Sequence, residues 1–357
     1  MCQPDARRVP ARRYPMSFSR RALLSLPRAR PSEPKGDGGF WLHLARNAMA
    51  CRFEITLPSE LGHHLDAAKD ALDTIDALEA QLTIFRETSE LAQVNREAAE
   101  HPVVVEERLF QLLTECQRLW QITDGAFDIT STPLSRTWGF LRRQGRLPTD
   151  DEITEARACV GMQHVRLDPA AQTVSFDRPG VSLNLGSIGK GYALDRVAEQ
   201  MTGAGVPTAL LTSGSSSLFA LGAGHEGQGY EVGIRDPFDH TRRYGSVRLT
   251  GEGLGVSGVG EQWFEHAGRR YGHIIDPRSG WPVEGRALVA VVAPTAALAD
   301  ALATAFFVGG PETVKRYHRA YPDVSVVVID MPLQGKYRPP VPIFLGRRAD
   351  WRLPVVT

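Results

Sequence analysis

One apolar stretch of the sequence carries a carboxylate and a hydroxyl at helical spacing. Asp300 and Thr304 lie four residues apart in a run of Ala, Leu and Phe, so both side chains project from the same face of a mostly buried helix. A buried carboxylate needs a partner. A hard cation such as Mg²⁺, which takes carboxylate and hydroxyl oxygens, is one such partner. Hydrogen bonds to neighbouring backbone groups are the alternative.

A glycine-rich segment at 184–192, which reads NLGSIGKGY, follows a short apolar run at 181–183. The pattern predicts a strand, a turn and the start of a helix, a geometry that presents backbone N–H groups to an anion. Lys190 adds a positive charge. The spacing differs from that of a Walker loop, and a glycine turn before a helix is also common without a ligand. The segment predicts a phosphate-binding turn or an ordinary helix start.

Three further titratable side chains lie among turn residues. His273 stands directly before two Ile residues and is a candidate general base or a structural histidine. Asp276 begins the turn sequence Asp-Pro-Arg-Ser-Gly, where a carboxylate often bonds the backbone. Asp128 lies between apolar residues after a predicted helix, and by itself indicates only a turn into a strand.

The elements that must position these residues follow from the spacing of apolar side chains. Strands cluster after residue 160 and helices are interleaved, which favours an α+β fold: one mixed catalytic domain with clustered strands and a few packing helices. The sequence predicts helices over 64–84, 109–123, 188–201, 297–308 and 312–321. It predicts strands over 49–57, 165–167, 173–176, 181–183, 208–213, 230–234, 245–249 and 288–292.

Composition excludes several classes of protein. The chain has 357 residues, 42% of them hydrophobic, and no apolar run long enough for a transmembrane helix. Lys plus Arg equals Asp plus Glu at 41 each, which removes the electrostatic argument for nucleic-acid binding. The four cysteines lie far apart without a C-x-x-C pair, so they predict neither a zinc site nor a dense disulfide framework.

Residues 1–39 are rich in Arg, Pro and Ser and are predicted to be a disordered basic leader; residues 40–357 are predicted to form the folded domain. The leader contains a twin-arginine-like piece at 19–24, but its apolar run ends at Leu26 and Pro27 follows. An export signal needs a longer apolar core. We therefore expect a cytoplasmic protein, or a periplasmic one if the true leader differs.

In combination and in this order, these segments resemble the ApbE family of flavin transferases, the FAD:protein FMN transferases. The resemblance runs from Ala48 through Gly309, and its two most specific blocks are HIIDPRSG at 273–280 and ADALAT at 299–304. The other matching blocks are AMAC at 48–51, SEL at 89–91 with Asn95, GAFD at 125–128, PL at 133–134, WGF at 138–140, GKGYA at 189–193 and SG at 257–258.

The resemblance implies a reaction, in which the pyrophosphate of FAD is cleaved, AMP leaves, and FMN is joined to a Thr or Ser hydroxyl of an acceptor flavoprotein. It implies that Mg²⁺ is bound by the side chains of Asp300 and Thr304, the main-chain oxygen of Ala303 and the Ser187 position. His273 would be the base that takes the proton of the acceptor hydroxyl. Eight residues would line the FAD site: Met49, Phe85, Ala126, Phe127, Asp128, Asn184, Lys190 and Ile274.

The sequence departs from the family pattern in three places. Many members carry Gly-Gly-Asp after the strand predicted at 208–213, where this chain has GSSS at 214–217. Asn184 stands where many relatives have Asp, and no lipobox cysteine follows a signal. Two other functions therefore stay open: Mg²⁺-dependent hydrolysis of FAD to FMN and AMP, and flavin binding without catalysis.

Overall fold

The structure is a computed structural model that describes residues 40–224, 227–239, 241–260, 262–331, 343–345 and 350–353. The predicted basic leader, residues 1–39, lies outside the described residues. Among the helices that are described, none is long and apolar enough to cross a bilayer.

Strands and helices are mixed along the described chain. The strands are β1 (Trp41–Ala48), β2 (Cys51–Pro58), β3 (Val103–Val104), β4 (Val165–Asp168), β5 (Thr173–Phe176), β6 (Ala209–Ser213), β7 (Ser217–Leu221), β8 (Tyr230–Arg235), β9 (Arg243–Leu249), β10 (Gly253–Gly258), β11 (Trp263–His266), β12 (Arg269–Gly272), β13 (Arg286–Ala293), β14 (Ser325–Asp330), β15 (Ile343–Leu345) and β16 (Asp350–Arg352). The α-helices are α1 (Leu65–Leu82), α2 (Glu90–Glu97), α3 (Glu107–Ile122), α4 (Thr132–Thr137), α5 (Asp150–Arg157), α6 (Gly189–Gly203) and α7 (Ala296–Ala320). Short 3₁₀ helices cover Ser59–His64, Phe140–Arg142 and Met162–His164.

An antiparallel sheet of eight strands, in the order β1-β2-β6-β7-β10-β13-β14-β15, organises the molecule. Its β13 strand alternates between two cores: Val289 and Val291 pack with α7 residues such as Phe306, whereas Leu288 and Ala290 pack with residues of β8 and β9. Because both faces are covered, the strand is apolar at nearly every position. The smaller sheets are β16-β9-β8, β3-β5-β4 and the hairpin β11-β12.

Helix α7 lies unusually close to its neighbours because glycines face it. A Cβ atom on Gly255 of β10 would be 2.3 Å from the Ala299 carbonyl oxygen, and one on Gly191 of α6 would be 2.2 Å from the Ala296 carbonyl oxygen. Only a residue without a side chain allows backbones to approach to this degree. The helix that carries Asp300 is therefore fixed by direct backbone packing against α6 and β10.

A separate aromatic cluster packs beneath the hairpin β11-β12. Trp138 is fully buried and contacts Tyr271 and Trp281, with ring centroids 5.5 and 5.2 Å apart. Phe264 stacks on Tyr271 at 5.2 Å. Aromatic contacts of this kind add about 0.5–1.5 kcal/mol each beyond the area that they bury. The cluster holds the hairpin and the following segment, which begins at His273, against the rest of the fold.

The structure confirms the α+β prediction, although individual elements differ from it. The segment at 181–183, predicted as a strand, is irregular because its backbone bonds a side chain: Asn95 accepts from the Leu183 N–H at 2.7 Å and donates to the Leu183 carbonyl at 2.9 Å. The two helices predicted over 297–308 and 312–321 are confirmed: α7 consists of two helical segments that meet at Gly310, whose φ of 70° and ψ of −170° are not helical. Several elements were not predicted, among them the strands β1, β7, β10 and β14 and the helices α2, α4 and α5. The β1 strand pairs with β2 across a turn at Met49 and Ala50.

Candidate functional site

Asp300 is the centre of a buried polar cluster. Asp300 is only 4% exposed and lies in an otherwise apolar helix. Ser217 at the start of β7 donates its hydroxyl to Oδ1 at 3.0 Å, and the Gly191 N–H at the start of α6 donates to Oδ2 at 3.2 Å. Three elements that are distant in sequence thus meet at one carboxylate, which satisfies the partner requirement of a buried charge.

Thr304 extends the cluster by one helical turn, as its spacing from Asp300 predicts. Its hydroxyl lies 3.3 Å from the hydroxyl of Ser257 on β10 and donates to the Asp300 carbonyl at 3.5 Å. The bond to the carbonyl one turn back is the locally satisfied arrangement that the sequence left open. The contact with Ser257 adds a second hydroxyl that sequence spacing did not reveal.

The donor chemistry of this cluster fits a hard divalent cation. Within the part of the chain that the structure describes, no group of three His, Cys, Asp or Glu side chains is placed to hold a metal. A cation here would therefore bind one carboxylate, from Asp300, with hydroxyl and main-chain oxygens. Such a sparse oxygen set suits Mg²⁺, which keeps several positions for water and phosphate oxygens. Of the other two predicted ligands, Ser187 is half-buried in the turn before α6, and Ala303 is fully buried within α7.

The turn before α6 differs from the predicted anion cradle. The Gly186 N–H donates to the Asn184 side chain at 2.9 Å, and the Gly189 N–H donates to the Leu185 carbonyl at 2.6 Å. The Gly191 N–H is used by Asp300. Because these three glycine amides are bonded within the protein, they favour the ordinary helix start, one of the two interpretations that the sequence left open. Lys190, half-buried in the first turn of α6, remains the cationic group at this place.

The segment containing Ala126, Phe127 and Asp128 is interior. Ala126 and Phe127 are each 1% exposed, so both residues pack inside the fold, backbone included. The Asp128 carboxylate accepts hydrogen bonds from the N–H and hydroxyl of Thr130. Burial raises the pKa of Asp128 to about 6, against the opposing effect of those hydrogen bonds. These bonds give the Asp128 carboxylate a structural role, which is to hold the turn at Thr130, in addition to any contact with a flavin nucleotide.

The other predicted FAD contacts are more accessible. Phe85, after α1, is 75% exposed, which leaves a large apolar face available to a planar ring. Met49 is half-buried in the turn between β1 and β2, and its N–H donates to Glu79 at 2.7 Å. Asn184 and Ile274 are also half-buried, and the Asn184 N–H donates to the Ile129 carbonyl at 2.7 Å.

His273 follows β12 directly and is oriented by one main-chain oxygen. Its backbone N–H and its Nδ1 both lie near the Gln262 carbonyl, at 3.1 and 3.2 Å. A carbonyl only accepts, so Nδ1 carries the hydrogen in this bond. The neutral ring then has its basic lone pair on Nε2, which is the arrangement of a general base. Gln262 is itself held by its amide, which donates to the Phe140 carbonyl at 2.9 Å.

Asp276, the other candidate base, is occupied by its own turn. Arg278 donates Nε to Oδ1 and Nη2 to Oδ2, each at 2.8 Å, and its N–H also donates to Oδ1 at 2.9 Å. The guanidinium and the backbone N–H of Arg278 thus occupy both oxygens of this carboxylate within the turn. The same turn is tied to Trp138, which donates to the Gly280 carbonyl at 2.9 Å.

Comparisons with known proteins match the part of the chain that contains these site residues. The family model described as the ApbE family matches residues 49–328. The FAD:protein FMN transferase of Escherichia coli strain K12 is 33% identical over 258 residues, which cover 70% of this chain and 73% of that protein. The protein of the same name from Treponema pallidum is 31% identical over 278 residues, 74% of this chain and 76% of its own length.

Solved structures agree with the sequence comparison. The ApbE protein of Thermotoga maritima superimposes with a TM-score of 0.75 at 27% identity, covering 82% of this chain and 94% of that one. The flavin transferase ApbE of Vibrio cholerae gives the same TM-score at 25% identity, covering 86% and 98%.

Proposed function

The chain belongs to the ApbE family, and on that premise we propose that it transfers FMN from FAD to a Thr or Ser hydroxyl of an acceptor protein, with release of AMP. The observation that carries the proposal is the buried Asp300 cluster, in which one carboxylate and the Thr304 hydroxyl are held by three separate elements. Carboxylate and hydroxyl oxygens are the donors that a phosphate-bound Mg²⁺ prefers, which is why this cluster supports pyrophosphate chemistry.

Asp300 and Thr304, with the Ala303 carbonyl and the Ser187 position, are the residues that would hold Mg²⁺. When bound, Mg²⁺ supplies positive charge that stabilises the pyrophosphate oxygens during cleavage. Lys190, which immediately precedes the Gly191 that bonds Asp300, would add a cationic side chain to the dinucleotide site. This pair of charges would orient the dinucleotide relative to the acceptor.

His273 would activate the acceptor. The acceptor hydroxyl oxygen forms a bond to the FMN phosphorus while the phosphorus–oxygen bond to AMP breaks, and the hydroxyl proton passes to Nε2 of His273. AMP leaves with the bridging oxygen. A hydroxyl is a poor nucleophile at neutral pH, so a base of this kind contributes about 10²–10⁴-fold. Phe85 would offer its exposed ring to one of the planar rings of FAD.

The test is incubation of the protein with FAD, Mg²⁺ and a cell extract as the source of acceptor. We expect a flavin-fluorescent band after denaturing electrophoresis, and AMP release that increases when the extract is present. AMP released equally without extract, and no fluorescent band, would show hydrolysis of FAD instead. Tight FAD binding with neither AMP nor a band would show a flavin-binding protein without catalysis.

A further inference from the structure

Asp195 is a half-buried carboxylate to which neither the sequence nor the proposed reaction assigns a role. It lies in α6, and its two oxygens accept hydrogen bonds from the first turn of α7: the Ala296 N–H donates to Oδ1 at 2.7 Å and the Ala297 N–H to Oδ2 at 2.9 Å. Burial raises the pKa of Asp195 to about 6, while these two amides favour its ionised form.

A second hydrogen bond joins the same two helices, with the carboxylate now on α7 and the amide on α6. Asp300 of α7 accepts from the Gly191 N–H of α6 at 3.2 Å. Gly191 precedes Asp195 by four residues, and Ala296 precedes Asp300 by four, so the two ties are one turn apart on each helix. Between them the helices touch at Gly191, where any Cβ would collide with the Ala296 carbonyl. The two carboxylates, Asp195 and Asp300, therefore fix how far α7 is shifted along the axis of α6.

Capping of α7 by its own chain does not include the two hydrogen bonds that Asp195 accepts. Thr295 is the N-cap of α7, and its hydroxyl accepts from the Leu298 N–H at 3.2 Å. This cap satisfies the Leu298 amide, and the Ala296 and Ala297 amides at the same helix end are bonded by Asp195 instead. The carboxylate of Asp195 comes from a different helix, and its bonds specify where α7 lies relative to α6.

We propose that Asp195 is a positioning residue for flavin transfer, which holds α7 against α6 so that Asp300 and Thr304 are aligned with Lys190. The inference rests on the proposed function. A displacement of about 1 Å in reacting or ligating groups is enough to cost on the order of 10²-fold in rate. Asp195 acts through Asp300 and Thr304 and contacts no reacting atom.

The experiment compares Asp195→Asn with Thr295→Ala. The second variant removes the cap of the same helix end but keeps the hydrogen bonds between Asp195 and α7. Asn keeps one acceptor but turns an NH₂ group toward the second amide. We expect kcat for flavin transfer to fall about 10-fold or more in Asp195→Asn, with the Kd for FAD, measured without Mg²⁺, changed less than about 3-fold. We expect Thr295→Ala to lower Tm while kcat stays within about 2-fold of the wild type.

A second measurement does not depend on turnover. Addition of Mg²⁺ alone should raise the Tm of the wild type and of Thr295→Ala, and should raise it less in Asp195→Asn, because the ligands are misaligned. Equal Mg²⁺-induced shifts in all three proteins, or losses of kcat that simply follow Tm in both variants, would overturn the proposal. Absence of transfer in the wild type would refute the proposed function, and the Mg²⁺ shifts would still decide the role of Asp195.

Asp195→Glu covers the case in which Asp195→Asn fails to fold. It keeps the charge and both acceptor oxygens but adds one methylene, about 1.5 Å of reach. We expect a folded protein with reduced kcat and a reduced Mg²⁺ shift. Full kcat in this variant would overturn the proposal.

Discussion

The regions around Asp300 and His273 are built by different means. Asp300 lies in a helix whose backbone touches the backbones of α6 and β10 at glycines, and its carboxylate is bonded by Gly191 and Ser217. His273 lies at the base of the hairpin β11-β12, where one carbonyl orients its ring and aromatic packing supports the hairpin. The first region is fixed by close backbone contact, and the second by side-chain packing on a two-stranded element.

This difference separates two parts of the proposed reaction. The groups that would hold metal and pyrophosphate cannot move without moving the main sheet, which is the preorganisation that electrostatic stabilisation requires. The proposed base, His273, would have to meet an acceptor protein, and it directly follows the hairpin β11-β12. Substitutions in the first region should therefore change stability and activity together, whereas those at His273 should change the rate alone.

The largest expected effect is that of Asp300→Asn. It removes the carboxylate of the proposed metal site, so we expect flavin transfer and AMP release to fall about 10³-fold or more, in line with the loss of a major electrostatic contribution. Asp66→Asn, which alters an exposed carboxylate paired with Lys69, is the matched control and should leave both rates unchanged. AMP production at the wild-type rate in Asp300→Asn would eliminate the metal assignment.

His273→Asn should leave FAD binding intact and slow transfer about 10²-fold or more, since Asn has similar reach but cannot accept the proton. Rates of flavin incorporation and the Kd for FAD are the two measurements. The control is His266→Asn, an exposed histidine at the end of β11. If binding, Tm and rate all fall together in His273→Asn, the histidine is structural and the contrast between the two regions fails.

Two glycines test the contrast directly. Gly255→Ala places a Cβ 2.3 Å from the Ala299 carbonyl, so α7 must shift; we expect a loss of about 1–3 kcal/mol in unfolding free energy and a fall in kcat. In Gly272→Ala, next to His273, the new Cβ meets nothing within 4 Å, and neither quantity should change appreciably. Chemical denaturation and initial rates measure both. Equal tolerance at the two positions would contradict the close packing described for α7.

The smallest expected effect concerns pH and stability. Asp128 has a pKa raised to about 6 by burial, above its unfolded value, so the folded state binds the proton more tightly. The contribution of Asp128 to the free energy of unfolding therefore increases as pH falls from above 6 toward 4. Between pH 7.5 and 5 the gain is about 1–1.5 kcal/mol relative to Asp128→Asn, which cannot titrate. Parallel stability curves for the two proteins would show that Asp128 ionises normally.

The sequence was most informative where the chemistry is local. The spacing of Asp300 and Thr304 placed both on one helical face, and the turn at Asp276 was recognised from its residue types. Ser217 and Ser257 could not be assigned to Asp300 and Thr304, because their positions depend on the register of β7 with β10 and on the packing of α7 over both strands. Ser217 was noticed only as a departure from an acidic pattern.

The sequence could not decide between the two interpretations of the turn before α6 for a related reason. A glycine-rich turn indicates available amides, but the sequence does not show which internal acceptors use them. Here Asn184, Leu185 and Asp300 do so, and Asn95 takes the backbone of Leu183. Asp195 escaped notice because a single carboxylate in a helix has no signal until the neighbouring helix is in place. The predicted leader, residues 1–39, stays a prediction.

The kink in α7 has a consequence for hydrogen exchange. Gly310 adopts φ 70° and ψ −170°, and Pro311 has no N–H, so the ladder of helical hydrogen bonds is interrupted between the half that carries Asp300 and the half that ends at Ala320. Cooperative helix opening does not pass through such a break. The amides around Asp300 should therefore exchange only through global unfolding, while those after Pro311 exchange through local opening of lower free energy. Fluctuations at the far end of the helix thus leave the candidate site undisturbed.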